Sequence, residues 1–362
     1  MIIQYYVGTS EQDIEHVRAK LREWGLRVQF NPGTRAERAE EQIPVDNVFG
    51  AVTDAHRREA AAFDCVRQVI PIEGVPQNLS LVRRGHRHTV TIPNPHGAKA
   101  QGAAGPGPGA VAIGAGRPLV VMAGVCAVDA DYTLPSHHMA RRAGADLNRG
   151  GAYKPRTSPY DFQGLKEDGL KRLCDVRAEV GLPVVTECLD VRDVDLFMKY
   201  DVDVLQTGTR NAQNFELLIE VGRTGKPVLY KRGFSNSIDE SLKAANYIME
   251  QGNDNLIFCL RGVKGIGHSF RNQGNLDEIV ALAHLIDRPI VYDVSHSSGR
   301  KSAVVGIGNM AAAGGADGIL LDVHASPEHA LVDGFQAIDD EAELARMIRT
   351  WRTLRELAQG GA

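Results

Sequence analysis

The stretch 227-PVLYKRGFSNSIDESLKAANYIMEQGNDNLIFCLRG-262 decides the fold. It opens on a short apolar run, 227-PVLYKRG-233, passes through a helix-length segment, 237-SIDESLKAANYIMEQG-252, and closes on a second run, 255-NLIFCLRG-262. Strand, helix, strand is a βαβ unit, and repeating it builds a parallel sheet. The alternation extends in both directions. PLVVMAG, ADLNRGG, PVVTECL and DVLQTGT precede the stretch, and PIVYDVSH and GILLDVH follow it. Eight such runs from residue 118 onward match the number that closes a (β/α)8 TIM barrel, whose usual size is ~250 residues. An open doubly wound sheet is the rival, but no glycine fingerprint follows the first run.

Upstream, residues 1–72 read differently. MIIQYYV, LRVQFN, NVFGAVT and RQVIPI are strand-like, and two helical segments lie among them, the first capped by Thr9-Ser10 with Glu11 and Asp13 in its first turn. The order β-α-β-β-α-β is that of a small ferredoxin-like α+β domain. Residues 73–117, rich in Gly, Ala and Pro, read as a linker. The barrel is expected over 118–362.

The bulk numbers narrow the function. With 43% hydrophobic residues in 362, the chain can bury a large core. No apolar run reaches the ~20 residues that span a bilayer. The start, MIIQYYVGTS, has no basic n-region or cleavage site, so a cytoplasmic protein is expected. A formal charge of −4 gives no electrostatic support to a nucleic-acid or membrane partner. Five scattered cysteines without CxxC spacing fit reduced thiols.

Active sites of such barrels lie at the C-terminal rim of the strands. There the chain carries Arg149, Lys154, Arg156, Arg210, Lys231 and Arg261. Two like charges 4 Å apart repel by about 4 kcal/mol in a medium of intermediate dielectric, so six cations need anionic ligands. Arginine forks suit phosphate and carboxylate oxygens, and the number of cations suggests more than one anionic group. A second set, Cys126, His296, Asp322 and Asp333, falls after the first, seventh and eighth runs, neighbours in a closed barrel. Thiolate, imidazole and carboxylate together suit a divalent transition metal (Mn, Fe, Co or Zn) better than Mg or Ca. Taken one at a time, a buried cysteine is more often a small hydrophobe. His137 and His138, on the first barrel helix, read as surface residues, and the remaining cysteines as packing. Glu187 reads equally well as a catalytic group or as a carboxylate paired with Lys or Arg.

These motifs together resemble a known family. GGAYKPRTSPYDFQGL, TGTRNAQNFELL, KPVLYKRGF, CLRG, DVSHSSGR and DVHASPEHALVDGFQ are similar to 3-deoxy-D-arabino-heptulosonate 7-phosphate (DAHP) synthase, in the branch related to 3-deoxy-D-manno-octulosonate 8-phosphate synthase. The resemblance covers nearly the whole chain, including the N-terminal domain that some members carry. It implies condensation of phosphoenolpyruvate with erythrose 4-phosphate, the first step of the shikimate route to aromatic amino acids. It also implies that Cys126, His296, Asp322 and Asp333 bind the metal, and that Arg149, Arg210, Lys231 and Arg261 clamp phosphoenolpyruvate. Lys154, Arg156 and Thr157 would meet the aldose phosphate, Lys154 beside its carbonyl as proton donor. The N-terminal domain would be a regulatory module for an aromatic amino acid, or a cap for a homo-oligomer, a dimer or tetramer.

The chain departs from the family pattern in places. Gly124-Val125-Cys126 stands for Gly-Pro-Cys, Asp322 for the usual glutamate, and 259-CLRGVKGIGHSFRNQ-273 is rewritten. Two alternatives therefore stay open: the same chemistry on another aldehyde in specialised metabolism, or a non-catalytic sensor of phosphometabolites.

Overall fold

A computed structural model describes residues 1–31, 43–49, 52–70, 75–76, 78–97, 109–266 and 269–360. The chain divides into two compact units, Met1–His86 and Arg87–Ala362.

In the first unit, β1 (Ile2–Tyr5), α1 (Glu11–Glu23), β2 (Arg27–Asn31), β3 (Val45–Phe49), α2 (Asp54–Ala61) and β4 (Val66–Ile70) precede a short α3 (Leu81–Arg84). The four strands form an antiparallel sheet in the order β2-β3-β1-β4, the ferredoxin-like arrangement that their sequence order predicts. α1 starts where the Ser10 hydroxyl accepts the Asp13 amide (3.1 Å). Ile14, Val17 and Leu21, spaced three and four apart, turn one helix face onto Ile3, Tyr5 and Val48 of the sheet. One carboxylate, Asp46, is wholly buried in β3. Arg18 grips it with two bonds (2.8 and 2.9 Å), and the Tyr5 hydroxyl donates a third (2.8 Å). The buried charge is tolerated because it is paired and fully hydrogen-bonded.

The second unit begins with a hairpin, β5 (Thr89–Pro93) and β6 (Ala110–Gly114), paired antiparallel. Residues 73–117, expected to be a linker, thus carry regular structure, although 73–74, 77 and 98–108 lie outside the described residues. The reason is alternation that the Gly/Ala composition hides. Val90, Ile92, Val111 and Ile113 share one face, and all four join the core beneath the barrel with Val120, Leu147, Val204, Leu229, Ile257 and Leu320. The hairpin plugs the barrel at the end where its strands begin.

The barrel strands are β7 (Val120–Gly124), β8 (Leu147–Arg149), β9 (Val184–Cys188), β10 (Val204–Thr207), β11 (Val228–Lys231), β12 (Leu256–Leu260), β13 (Ile290–Asp293) and β14 (Gly318–Asp322). They are parallel and close in sequence order, with β14 paired back to β7. Each expected run contains one of these strands. The helices are α4 (Thr133–Ala143), α5 (Glu167–Val180), α6 (Val194–Lys199), α7 (Phe215–Arg223), α8 (Ile238–Met249), α9 (Asp277–Leu285), α10 (Val294–Ser298), α11 (Lys301–Ala313) and α12 (Glu341–Gly360). Among the described residues, no helix is long and apolar enough to cross a membrane.

Three aspartates staple the strand starts. Asp146, Asp203 and Asp317 immediately precede β8, β10 and β14, and accept the backbone amides of Val121, Val184 and Ile290 on the neighbouring strand (2.7 to 2.8 Å). At the opposite rim β8, β11, β13 and β14 end on Arg149, Lys231, Asp293 and Asp322. That charged rim is where the chemistry has to be sought.

Candidate active site

The loop after β7 delivers Cys126. Gly124 makes this possible: a Cβ there would stand 2.1 Å from the Arg149 carbonyl oxygen and 2.5 Å from His137 Nε2. His137, expected on the surface, is instead fully buried, and its ring nitrogens meet the carbonyls of Thr133 (2.6 Å) and Arg149 (3.0 Å). It ties α4 to the end of β8. His138 pairs with Glu179 (3.0 Å).

Three of the four expected metal residues meet. The ligand atoms of Cys126, His296 and Asp333 all lie within 4.8 Å of one another. Cys126 Sγ is 3.8 Å from His296 Nε2 and 3.7 Å from Asp333 Oδ2, and the last two are 3.8 Å apart. Asp333 reaches inward from a left-handed backbone, φ 56°, which an aspartate tolerates better than most residues. Asp322 is placed differently. Its Oδ1 pairs with Arg149 Nη1 at 2.6 Å, and its Oδ2 accepts from Gln336 Nε2 at 2.5 Å. The physical reason is the buried Arg149 guanidinium, which captures the nearest carboxylate.

The protonation chemistry suits a metal. Burial would raise the Cys126 thiol, but the Lys154 ammonium, with help from His296 and Arg149, brings it below the ordinary thiol value. Burial, aided by nearby carboxylates, pushes Cys188 and Cys259 the other way, each up to about 12. These two are inert packing residues, as expected. His296 has Nδ1 turned to Asp293 (3.0 Å), which leaves Nε2 facing the thiol. This is the carboxylate–histidine arrangement that fixes the tautomer of a ligating imidazole. Burial opposes the imidazolium, yet Asp293 and Asp322 raise His296 above its ordinary value. Soft, borderline and hard donors at one point fit a divalent transition ion.

Beside this centre opens a cavity of about 800 Å³. Every cation expected at the rim lines it: Arg149, Lys154, Arg156, Arg210, Lys231 and Arg261, together with Thr157 and Glu187. Some are neutralised internally. Arg149 pairs with Asp322, Lys231 with Asp293, and Arg156 with Asp161 at 3.3 Å. Among the described residues, no carboxylate pairs with Lys154, Arg210 or Arg261. Lys154 Nζ lies 2.9 Å from the Cys126 carbonyl oxygen and 3.2 Å from its sulfur. Arg210 donates to the Thr157 hydroxyl at 3.4 Å. Arg261 is 4% exposed; its Nη2 donates to the His296 carbonyl (3.1 Å), while its buried Nη1 has no protein partner. Burial lowers its pKa, since charge is costly there. Glu187 accepts from Gln206 Nε2 (3.2 Å) rather than from Lys or Arg.

Sequence reasoning missed three residues. Phe234 presents its ring to Arg210, Arg261 and Lys264, with 5.7, 4.7 and 5.2 Å to the centroid, and so eases their mutual repulsion. Arg271 lines the cavity and donates to Asp333 Oδ2 at 3.1 Å. It passes over Gly299, φ 63°, where a Cβ would stand 2.7 Å from that of Arg271. Gln336 holds Asp322. For Phe234 a signal existed in its place after Lys231-Arg232-Gly233. Arg271 lies in the rewritten loop, where no periodicity guides reading.

Comparison with known proteins is consistent with this geometry. The chain is 36% identical over 345 residues to phospho-2-dehydro-3-deoxyheptonate aldolase of Thermotoga maritima, covering 94% of each protein. It is 30% identical over 245 residues to 2-dehydro-3-deoxyphosphooctonate aldolase of Geotalea uraniireducens, covering 61% of this chain and 87% of the relative. The crystal structure of the Thermotoga maritima phospho-2-dehydro-3-deoxyheptonate aldolase (DAHP synthase) superposes with a TM-score of 0.70 at 32% identity, over 99% of this chain and 97% of that one. The profile of the DAHP synthetase I family matches residues 91–359, from the plugging hairpin through the last barrel helix, and the chain belongs to that family.

Proposed function

We propose that the barrel condenses phosphoenolpyruvate with erythrose 4-phosphate and water, giving 3-deoxy-D-arabino-heptulosonate 7-phosphate and inorganic phosphate. One observation carries the reading: in a member of this family, a rim cavity holds three cations that, among the described residues, have no carboxylate partners, beside a thiol, an imidazole and a carboxylate that converge. Two phosphorylated anions supply the missing charge.

Arg149, Lys231, Arg210 and Arg261 hold phosphoenolpyruvate so that its C3 faces the aldehyde carbon, a positioning effect. Arg156 and Thr157 hold the acceptor phosphate, and Arg210, bonded to Thr157, joins the two subsites. Cys126, His296 and Asp333 would hold the divalent ion, which supplies Lewis-acid polarisation of the aldehyde when bound. Lys154 stands against Cys126 at the cavity wall and gives its proton to the oxygen of the former aldehyde. The new bond joins C3 to the aldehyde carbon. Water adds at C2, and phosphate departs with its bridging oxygen as the C–O bond breaks.

Incubating the protein with both substrates and a divalent ion should release phosphate stoichiometrically with a heptulosonate phosphate identified by mass spectrometry. Phosphate release that does not depend on the aldose would refute the reading. The rewritten loop after Arg261 favours a second reading, the same chemistry on another aldehyde, and a panel of aldoses in the same assay separates the two. The Met1–His86 unit is assigned a regulatory role. Its removal should abolish inhibition by an aromatic amino acid while turnover persists. Assembly as a homo-oligomer, dimer or tetramer, is expected and is read by light scattering.

A further inference from the structure

Resting on the synthase reading above, we infer that Asp161 is a specificity-determining residue: by occupying Arg156 it weakens the hold on an acceptor's phosphate, and so narrows the gap between a phosphorylated aldose and one that ends in a free hydroxyl. Among the described residues, three carboxylates line the cavity, and each faces a different group. Asp333 faces Cys126 and His296 at 3.7 and 3.8 Å, and Glu187 accepts from the Gln206 amide at 3.2 Å. Asp161 is set against Arg156, one of the residues assigned above to the acceptor's phosphate.

The pairing is one that a ligand can displace. Arg156 Nε and Nη2 both reach the same oxygen of Asp161, Oδ2, at 3.4 and 3.3 Å. A tight pair would be shorter and would engage both oxygens. The two side chains are 26% and 42% exposed, and an ion pair so open to water shifts an equilibrium by about fivefold at most. A phosphate that reaches this guanidinium meets a negative charge already in place and has to push it aside. A hydroxyl does not, because the pair offers it a donor and an acceptor together. The loop itself does not need the carboxylate. Asp161 N donates to the Ser158 carbonyl at 3.3 Å and Tyr160 N to the Ser158 hydroxyl oxygen at 3.2 Å. Gln163 Nε2 donates to the Asp161 carbonyl at 2.8 Å, and Lys154 N to the Gln163 carbonyl at 3.0 Å. Pro155 and Pro159 stiffen the same segment. None of these features uses the Asp161 side chain, so an amide can stand in its place without rebuilding the turn.

The test compares D161N with the unmutated full-length protein in steady-state kinetics, at saturating cobalt(II) and phosphoenolpyruvate, with erythrose 4-phosphate and with erythrose as acceptors. D161N should lower the KM for erythrose 4-phosphate by about two- to fivefold, and raise the preference for it over erythrose, as a ratio of kcat/KM values, by at least as much. The change should fall on KM rather than on kcat. A merely structural residue would give the opposite, a raised KM with a lowered kcat. The inhibition constant of inorganic phosphate, read as competition with erythrose 4-phosphate, should fall by the same factor; that measurement decides where erythrose reacts too slowly to follow. D161S should reproduce D161N, and supplies the answer should the amide variant not fold. A KM for erythrose 4-phosphate that stays or rises, with phosphate inhibition no stronger, overturns the inference and leaves the synthase reading intact. If the unmutated protein joins phosphoenolpyruvate to neither aldose, both fall.

Discussion

Replacing Arg261 with methionine should separate binding from folding. Among the described residues, Arg261 makes one hydrogen bond, to the His296 carbonyl, and one ring contact, to Phe234. Losing a charge-assisted bond costs about 1.5–3 kcal/mol. Methionine keeps a sulfur–aromatic contact with Phe234, worth about 0.3–1.5 kcal/mol. Against the loss stands the relief of a buried charge repelled by Arg210 and Arg271. Burying an ion costs several kcal/mol, so these terms offset to within about 2 kcal/mol. Phosphoenolpyruvate binding should suffer far more, because the unpartnered Nη1 is reserved for the ligand. A loss of about 2.7 kcal/mol corresponds to roughly a hundredfold in Kd. The assay is denaturant unfolding with and without phosphoenolpyruvate. At a concentration a hundred times the unmutated protein's Kd, the ligand stabilises that protein by about 2.7 kcal/mol, and R261M by only about 0.4 kcal/mol. If R261M is strongly destabilised while its ligand-induced shift stays whole, Arg261 is a structural residue and the clamp is misassigned.

Other expectations are independent of that one. Chelation should abolish turnover, and manganese, iron, cobalt or zinc should restore it; full activity in excess chelator would contradict the convergence of Cys126, His296 and Asp333. Gly124→Ala should drive β7 and β8 apart at the rim and reduce both solubility and cobalt binding, because no Cβ fits 2.1 Å from a carbonyl oxygen. Asp129 accepts three backbone amides and faces His324 at 3.3 Å. Burial would raise its pKa, but the His324 bond and the backbone amides win and lower it below 3.8. Its contribution to stability is therefore complete above that value and lost as pH falls through the folded-state pKa. D129N should be less stable than the unmutated protein at pH 7, with the gap closing at strongly acid pH in urea titrations. Asp46→Ala takes from Arg18 its buried carboxylate and leaves it, among the described residues, only the carboxylates of Glu11 (2.9 Å) and Glu15 (3.6 Å) at the surface, so two charge-assisted bonds are lost at about 1.5–3 kcal/mol each before relaxation; hydrogen exchange across β1 and β3 should accelerate accordingly.

How much of this was legible depends on the kind of signal. The barrel was, because each strand is a short apolar run bounded by a polar turn, and PVLYKRG or GILLDVH can be recognised without its neighbours. The rim cations were legible for the same reason, since a strand end fixes where the next side chain points. The hairpin was not: TVTIP and AVAIG alternate correctly, but sit in a Gly/Ala/Pro-rich stretch whose composition outweighs five-residue patterns. The burial of His137 depends on a missing Cβ at Gly124, a relation between two elements that no local pattern records. The pairing of Asp322 turns on Arg149 at the end of β8 and on Gln336 in the next loop. Such choices are made by three-dimensional proximity, and a linear reading can name the candidates without ranking them.

The hairpin beneath the barrel has a kinetic consequence. Among the described residues, Val90, Ile92, Val111 and Ile113 fill the floor of the barrel, opposite the rim that carries the cavity. With that end filled, reactants, water and departing phosphate are expected to pass by the rim. On that route the guest that sits lowest is expected to arrive before its partner and leave after it, an order that product-inhibition kinetics would read.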